Sequence, residues 1–290
     1  MTYAPPSADG MRRILSAWIV LLLAPGALAQ KDGGGKGRAD PGSTEAESKP
    51  AALADDDPDL PIKDLRAGGD ARKRYVVVGP KKGAKPPRHG WKSLFVLPGG
   101  TGDAAFHPFV KNIARQVFSD EYVVVQLVSV RWIENQPVIW PTAHVKQKEA
   151  TFGTEEFFLD VHKEVAKSIK LDPRCCFTLS WSSGGPAAYV LALMDRTPIT
   201  GSYVAQSVFF PDRLPPLRAA KGKAFFLDHS PEDEKCRFAL AEQARDALKK
   251  EGAHVELVAY DGGHGWHGAI WDRMKKGRAH LEKHAVKPAR

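Results

Sequence analysis

The chain alternates between short apolar runs and longer segments in which apolar residues recur every three or four positions. The short runs are rich in Val, Phe and Leu, which is typical of buried strands. The longer segments have the period of helices that bury one face. The predicted strands are 75–78, 93–97, 122–130, 175–179, 202–210, 224–227 and 255–260, and the predicted helices are 108–118, 154–170, 186–194, 235–250 and 268–283.

Strands that are apolar along most of their length are buried on both faces. Their alternation with helices predicts an α/β fold, with a mostly parallel central sheet and helices on both faces. In such sheets ligands bind beyond the carboxyl ends of the strands. The residues that follow each predicted strand are therefore the first candidates for chemistry.

The N-terminal segment has the layout of a secretory signal peptide. Arg12 and Arg13 precede an apolar run over 14–24, and small residues follow up to Ala29. This order predicts cleavage after Ala29, and the apolar run is too short to favour a stable membrane span. Met11 is a second candidate start. We therefore expect an exported protein, periplasmic or extracellular, with no stable membrane insertion after cleavage.

A change of composition follows the predicted signal peptide. Residues 31–70 are rich in Gly, Pro, Ala, Asp and Lys and contain no aromatic residue. Such a segment buries too little apolar surface to offset the entropy lost on ordering. The sequence thus predicts a disordered linker over 30–70 and one folded domain over 71–290. The 43% hydrophobic content of the chain is sufficient for a large core.

The formal net charge of the chain is +8. The positive residues are scattered and no nucleic-acid-binding motif accompanies them, so we expect a solvated basic surface and no nucleic-acid partner.

Three cysteines occur, and their positions argue against a disulfide. Cys175 and Cys176 begin one predicted strand, whereas Cys236 follows the carboxyl end of another. A strand of five or six residues spans ~17–20 Å, well beyond the ~7 Å that a disulfide allows between Cα atoms. We predict that Cys175 and Cys176 pack in the core.

A cluster of small residues separates the predicted strand 175–179 from a helix. The order Ser180-Trp181-Ser182-Ser183-Gly184 has the form small-x-Ser-x-small, which is typical of a nucleophile elbow. Small residues are needed there because the strand and helix backbones pass close together. Ser182 is then the nucleophile. A motif centred on Ser183 would put Trp181 in a crowded position. An ordinary strand–turn–helix remains the alternative.

A glycine-rich loop, 98–102, follows the second predicted strand. Its backbone can direct an N–H group at an oxyanion. Gly100 is the candidate, together with the N–H of Ser183. The loop lacks the Lys-Ser/Thr ending of a phosphate-binding P-loop, which disfavours that alternative.

An acid and a histidine follow the later strands. Of the acids after strand 224–227, Asp228 is nearest the strand and Asp233 lies further along the loop. The spacing favours Asp233 as the acid that orients a histidine, with Asp228 as a local hydrogen-bonding residue. His264, flanked by glycines after the last strand, is the candidate base, and His267 is the second candidate.

Four tryptophans are candidates for substrate binding. Trp181 and Trp266 are neighbours of the candidate nucleophile and base, and Trp132 and Trp140 lie on the segment 131–141 after a predicted strand. The alternative for Trp132 and Trp140 is that they pack beneath a long loop.

The order Ser182, Asp233, His264, with a glycine-rich loop upstream, resembles the α/β-hydrolase superfamily. The resemblance covers residues 74–283. Within the superfamily the chain is similar to small carboxylesterases of the phospholipase/carboxylesterase and polyhydroxybutyrate-depolymerase-like types. It departs from the usual pattern at Pro98, where many relatives have histidine, and at Ser180, which replaces the first elbow glycine.

The resemblance implies a serine esterase that uses a Ser-Asp-His triad and an acyl-enzyme intermediate. It implies that the N–H groups of Gly100 and Ser183 form the oxyanion hole. It also implies no metal or cofactor, and a small-molecule or polymeric ester as substrate. The alternatives are a serine peptidase of the same fold, which would normally carry a substrate-gating domain, and a non-catalytic binding protein on a hydrolase scaffold.

Overall fold

The computed structural model describes residues 59–118 and 121–285. The predicted signal peptide and most of the predicted linker lie outside the described residues. Within them the chain forms an eight-stranded sheet with helices on both faces. The strands are β1 Ile62–Arg66, β2 Arg74–Val78, β3 Trp91–Leu97, β4 Tyr122–Leu127, β5 Leu171–Trp181, β6 Gly201–Ala205, β7 Ala224–His229 and β8 His254–Ala259; the helices are α1 His107–Val117, α2 Thr154–Ser168, α3 Gly185–Leu193, α4 Phe238–Lys250 and α5 Ile270–Lys283.

The strand order across the sheet is β1-β2-β4-β3-β5-β6-β7-β8. β2 runs antiparallel to both β1 and β4, and every other neighbouring pair is parallel. The carboxyl ends of β3 to β8 therefore meet at one edge of the sheet. The predicted fold class, a mostly parallel sheet covered on both faces, is confirmed.

Alternate side chains of the central strands pack into two separate cores. In β3, Phe95 and Leu97 join the core that contains α2, α3 and α4, whereas Leu94 and Val96 join the core that contains α1 and α5. All four side chains are completely buried. This burial explains why the strand is continuously apolar rather than alternating. Among the described residues, no helix combines the length and apolar composition needed to cross a bilayer.

The strand β1 was not predicted, and it lies inside the segment 30–70 interpreted as linker. Its five residues are all exposed, so it carries no apolar signature, but it pairs with β2 along its whole length. Asp64 also forms an ion pair with Arg74, with 2.8 Å between Oδ2 and Nη2, and Leu60 is buried in the core. The prediction of disorder is therefore corrected for residues 59–70, where backbone pairing holds the chain.

Several element boundaries differ from the prediction for local reasons. β6 ends earlier than predicted, and the next residue, Gln206, has a φ of 40° that turns the chain. α4 begins three residues later than predicted, because the N–H groups of Lys235 and Cys236 donate to Asp233 instead of starting the helix. β4 also ends three residues before the predicted end.

The three cysteines are free and buried. Cys175 and Cys176 point into opposite cores, as predicted for packing residues. Burial raises the pKa of the Cys175 thiol to about 11 and that of Cys176 to about 12, so both remain protonated at neutral pH.

Candidate active site

Ser182 lies at a tight turn between β5 and α3. Its φ is 49°, in the left-handed region that non-glycine residues rarely adopt. A Cβ on Gly184 would collide with the carbonyl oxygen of Leu97, and one on Gly185 would collide with the hydroxyl of Ser207. The turn therefore requires glycine on the helix side of Ser182, which is the geometry expected of a nucleophile elbow.

Ser180 occupies the position where the elbow pattern usually has glycine. Its side chain is completely buried, and its Oγ lies 3.4 Å from the carbonyl oxygen of Tyr203 on β6. The hydroxyl thus points along the sheet toward the neighbouring strand, where the structure accommodates it.

The structure brings Ser182, His264 and Asp233 together at the carboxyl edge of the sheet. His264 Nε2 lies 3.1 Å from Ser182 Oγ, and His264 Nδ1 lies 2.8 Å from Asp233 Oδ2. The His264 side chain is 14% exposed, whereas the Asp233 carboxylate is fully buried. A proton can therefore pass from Oγ to Nε2, while the buried carboxylate holds the other ring nitrogen and stabilises the imidazolium.

Asp233 is held in place by the loop that follows it. Its Oδ1 accepts hydrogen bonds from the N–H groups of Lys235, at 2.9 Å, and Cys236, at 2.7 Å. This leaves Oδ2 to face His264. The buried ring of His229 lies on the same side, with Nε2 2.6 Å from the carbonyl oxygen of Cys236 and 3.3 Å from Asp233 Oδ2. Burial lowers the pKa of His229, which favours its neutral form.

Asp228, the other acid considered, points away from the histidine. Its carboxylate accepts from the Tyr203 hydroxyl, at 2.6 Å, and from Arg273 Nε, at 2.9 Å. Burial raises the pKa of Asp228, and the hydrogen bonds and charge of these two partners oppose that rise. As predicted, Asp228 is a local hydrogen-bonding residue.

The loop that carries His264 is fixed on both sides. Gln206 Oε1 accepts the N–H of Gly265, and the Tyr260 hydroxyl donates to the carbonyl of Gly265, at 2.7 Å. On the other side, the N–H of Gly263 donates to Ser230 Oγ, at 3.1 Å. Gly263 and Gly265 have φ angles of 78° and 136°, so the backbone path of this loop depends on glycine.

His267, the second candidate base, belongs to the helix side of the same loop. Its ring packs against Tyr260, with 6.5 Å between centroids, and its carbonyl accepts from Arg273 Nη1, at 2.9 Å. Within the described residues, no hydrogen bond joins its ring to Ser182 or Asp233. The structure therefore brings His264, and not His267, to the serine.

The glycine-rich loop after β3 passes directly against the serine. A Cβ on Gly99 would lie 2.9 Å from Ser182 Cβ. The carbonyl of the next residue, Gly100, accepts a hydrogen bond from Ser183 Oγ, at 3.0 Å. The N–H of Gly100 donates no backbone hydrogen bond to the described part of the chain. The glycine-rich loop therefore lies against Ser182, and the roles of Gly100 and Ser183 as oxyanion donors stay a prediction.

Pro98, which stands where many relatives have histidine, is bound through its carbonyl group. Trp140 Nε1 donates to the carbonyl oxygen of Pro98, at 2.9 Å. Further along the loop, the N–H of Gly102 donates to Gly99 O and the N–H of Ser129 donates to Gly102 O, each at 2.9 Å. These bonds attach the glycine-rich loop to the residues that follow β4 and to the segment that carries Trp140.

Trp181 and Trp266 form a packed aromatic wall. Trp181 is 5% exposed, and its ring lies 5.5–5.7 Å from the rings of Phe106, Phe109 and Trp266. The Trp266 Nε1 atom is buried without a partner among the described residues. The two indole rings therefore form one packed aromatic cluster beside the candidate nucleophile and base.

Trp132 and Trp140 have different environments. Trp132 packs on Phe152, with 4.9 Å between centroids, and lies beneath the guanidinium of Arg72. This corresponds to packing under a loop. Trp140 is also buried, but it borders an apolar cavity of about 240 Å³ that reaches Ser183.

Asp233, Cys236 and His264 each offer a potential metal ligand atom, and these atoms lie within 4.8 Å of one another. Metal binding by cysteine requires the thiolate. Burial raises the pKa of Cys236 to about 12, and His264 Nδ1 is already engaged by Asp233. This donor set fits an acid–imidazole pair better than a metal centre.

Three supporting residues were not identified from the sequence. Ser207 Oγ donates to the carbonyl of Ser182, at 2.6 Å, and Gln206 and His229 hold the loops of the base and the acid. Gln206 and Ser207 follow β6, and His229 ends β7. Inspection of the residues after each strand points to His229, whereas Gln206 and Ser207 fall inside the predicted strand 202–210 and become candidates only because β6 ends at Ala205.

Comparisons with known proteins identify the fold. No protein-family model matches the chain, and no curated protein sequence matches it. Solved structures do. A thermostable esterase from Pseudomonas putida superposes with a TM-score of 0.57 at 14% identity, over 78% of this chain and 83% of that one.

Two further structures give similar values. An alpha/beta hydrolase from a deep-sea metagenome library has a TM-score of 0.55 at 15% identity, over 75% of this chain and 90% of that one. The fluorophosphonate-binding serine hydrolase F of Staphylococcus aureus has a TM-score of 0.56 at 12% identity, over 78% and 99%. With the strand order above, these similarities show that the chain has the α/β-hydrolase fold.

Proposed function

We propose that this protein is an exported serine hydrolase that cleaves carboxylic esters. The observation that carries the proposal is the continuous hydrogen-bonded series from Asp233 through His264 to Ser182, with the serine on a strained turn between a strand and a helix. The esterases and serine hydrolases among the structural neighbours support the same class of reaction. The predicted signal peptide in residues 12–29 is the basis for the proposed location.

In the first half of the reaction, Ser182 Oγ attacks the ester carbonyl carbon while His264 Nε2 takes the Oγ proton. Asp233 Oδ2 keeps the proton on His264 Nδ1 and stabilises the imidazolium. The N–H groups of Gly100 and Ser183 donate to the developing oxyanion. A single such donor contributes about 3 kcal/mol to transition-state stabilisation.

Collapse of the tetrahedral intermediate expels the alcohol, which takes its proton from His264 Nε2. The acyl group remains as an ester of Ser182. Water then enters, gives a proton to His264 and attacks the acyl carbon. The second tetrahedral intermediate releases the carboxylic acid and returns the proton to Ser182. Every step uses groups that the chain itself supplies.

The test is hydrolysis of a short-chain p-nitrophenyl ester by the full chain beside a Ser182→Ala variant. We expect measurable turnover, lowered by roughly 10⁴-fold or more in the variant. Ser168→Ala is the matched control, because Ser168 is exposed at the C-terminal end of α2, which leads to the opposite end of β5 from Ser182, and it should keep most of the activity. Equal rates in wild type and Ser182→Ala would reject the proposal. Wild-type protein without turnover would favour the non-catalytic binding protein.

A further inference from the structure

One feature of the site that the mechanism leaves unused is the cavity of about 240 Å³ beside Ser183. Three segments form it: the loop after β4, the first turns of α3 and the loop after β6. The side chains that contribute to its walls include Val138, Val145, Val190 and Leu214. The cavity therefore lies beside Ser183, the residue next to the candidate nucleophile.

The lining of the cavity is mainly apolar. Arg213 is its one charged side chain among the described residues. That side chain is exposed, and its guanidinium lies 5.2 Å above the ring of Phe210, which is itself 38% exposed. These two residues form the rim, and the interior offers no ionic partner to a ligand. The occupant of the interior is thus an uncharged apolar group.

The position of the cavity decides which half of an ester enters it. His264 must give its proton to the alcohol oxygen, so the alcohol lies on the histidine side of Ser182. No residue of the loop that carries His264 lines the cavity, whereas Ser183, a proposed oxyanion donor, does. The space beside Ser183 therefore receives the acyl group.

The volume allows a group of at least medium size. A water molecule occupies about 30 Å³ of liquid, so the cavity has room for at least about eight non-hydrogen atoms of similar size. We propose that the cavity is an acyl-binding pocket and that the natural substrates are esters of uncharged apolar acids of at least about six carbons. This inference rests on the proposed esterase function.

The first arm of the test is the wild-type protein with p-nitrophenyl esters from acetyl to dodecanoyl. Burial of a methylene favours binding by about fourfold in kcat/KM. We expect kcat/KM for hexanoate to exceed that for acetate by at least about tenfold. With the acyl group fixed as hexanoyl, methyl and butyl esters followed by pH-stat titration should differ by less than about threefold.

The second arm fills the pocket from two independent loop positions that are half-buried, Val138→Trp and Val145→Phe. Each should lower kcat/KM for hexanoate by about tenfold or more and leave acetate within about twofold. Ile62→Trp is the control, because Ile62 is 42% exposed on β1 and does not line the cavity. Thermal melting establishes that each variant is folded before its kinetics are compared.

Three results would overturn the acyl pocket while the esterase function stands. They are a preference for acetate in the wild type, equal losses for acetate and hexanoate in folded variants, and a larger dependence on the alcohol than on the acid. Failure of the esterase function itself is different: no ester is turned over at any chain length, and fluorophosphonate labels no serine.

Discussion

Asp228 and Asp233 lie on one short stretch of chain, yet the structure gives them separate tasks. Asp233 receives backbone N–H groups and faces His264, whereas Asp228 pairs with Arg273 and Tyr203. Both carboxylates are buried. The direction in which each one points, rather than its burial, therefore decides its role.

Substitution of the two acids separates these roles. Asp233→Asn should lower kcat by about 10³–10⁴-fold with little change in melting temperature, because an amide cannot hold His264 in the required tautomer. Asp228→Asn leaves the buried Arg273 with a neutral partner, which should cost roughly 3 kcal/mol of stability while folded enzyme keeps most of its kcat. Ester kinetics and thermal melting of both variants measure this. If Asp228→Asn lost kcat and Asp233→Asn lost stability instead, the roles of the two acids would have to be exchanged.

His229 supports the acid without contacting substrate. Its Nε2 lies 2.6 Å from the carbonyl of Cys236, the residue whose N–H binds Asp233. His229→Ala should lower kcat by about tenfold through loss of this anchor, with KM nearly unchanged. His229→Gln, which retains a donor, should recover part of the loss. Full activity in a folded His229→Ala variant would show that the loop holds Asp233 unaided.

The grouping of Ser182, Asp233 and His264 could be predicted, because each residue follows a strand of a parallel sheet. The contacts that orient them could not be predicted in detail. Gln206 reaches the base loop only because its own φ of 40° redirects the chain after β6, and no local sequence signal specifies such a turn.

The turn between β5 and α3 depends on the close approach of two backbones. Gly184 has an ordinary φ of −76°, so glycine is needed there for space rather than for conformation. Gly184→Ala would drive a methyl group into the carbonyl of Leu97 on β3, and we expect a loss of about 3 kcal/mol in the free energy of unfolding.

The control for this substitution is Gly153→Ala. A Cβ at Gly153 meets only the end of the flexible Glu155 side chain, so we expect a loss below about 1 kcal/mol. Urea unfolding of both variants gives the comparison. Similar losses at the two positions would contradict the crowding that the strand–helix contact implies.

The C-terminal end of α3 is stabilised by Lys223, whose Nζ donates to the carbonyl of Ala192, at 2.5 Å. Burial lowers the pKa of Lys223 to about 8. In the unfolded chain the pKa of a lysine is about 10.4. Between pH 8 and pH 10.4 the unfolded state therefore binds more protons than the folded state. The stability contributed at this position should therefore rise as the pH increases from 8 to 10.5.

Lys223→Met removes this titration. The stability of the wild type relative to the variant should increase by about 2 kcal/mol between pH 8 and pH 10.5. Chemical unfolding at a series of pH values measures the difference, in which the other titrating groups cancel. A difference that is independent of pH would mean that the ammonium is well solvated.

Elements with a strong apolar period were predicted more completely than elements without one. The strands and helices of the parallel part of the sheet follow from their buried patterns. Their boundaries change where the Asp233 side chain accepts a backbone N–H and where Gln206 turns the chain. β1 has five exposed residues. Its formation depends on the free edge of β2, a partner that lies further along the chain, so composition alone indicated a linker.

β1 is the edge strand at the antiparallel end of the sheet. It covers the edge of β2, whose residues Val76, Val77 and Val78 are buried. Removal of β1 would expose an apolar strand edge, which is a site for aggregation.

A truncation series tests this function of β1. A chain of residues 67–290 should melt at least about 5–10 °C below a chain of residues 59–290, because it loses a strand ladder and the buried Leu60. Differential scanning calorimetry and light scattering compare the two chains. Equal melting temperatures would mean that β1 is dispensable and that the folded domain begins near residue 71, as the composition indicated.

The whole architecture brings His264 and the buried Asp233 to one serine, so the proposed mechanism depends on Ser182. The most direct measurement is reaction with a fluorophosphonate followed by peptide mass spectrometry. Trypsin should release residues 175–196, which contain Ser180, Ser182 and Ser183, and fragmentation assigns the adduct among them. We predict a stoichiometric adduct on Ser182 that persists in Ser183→Ala and disappears in Ser182→Ala. An adduct on another serine, or none on a folded wild-type protein, would contradict the account.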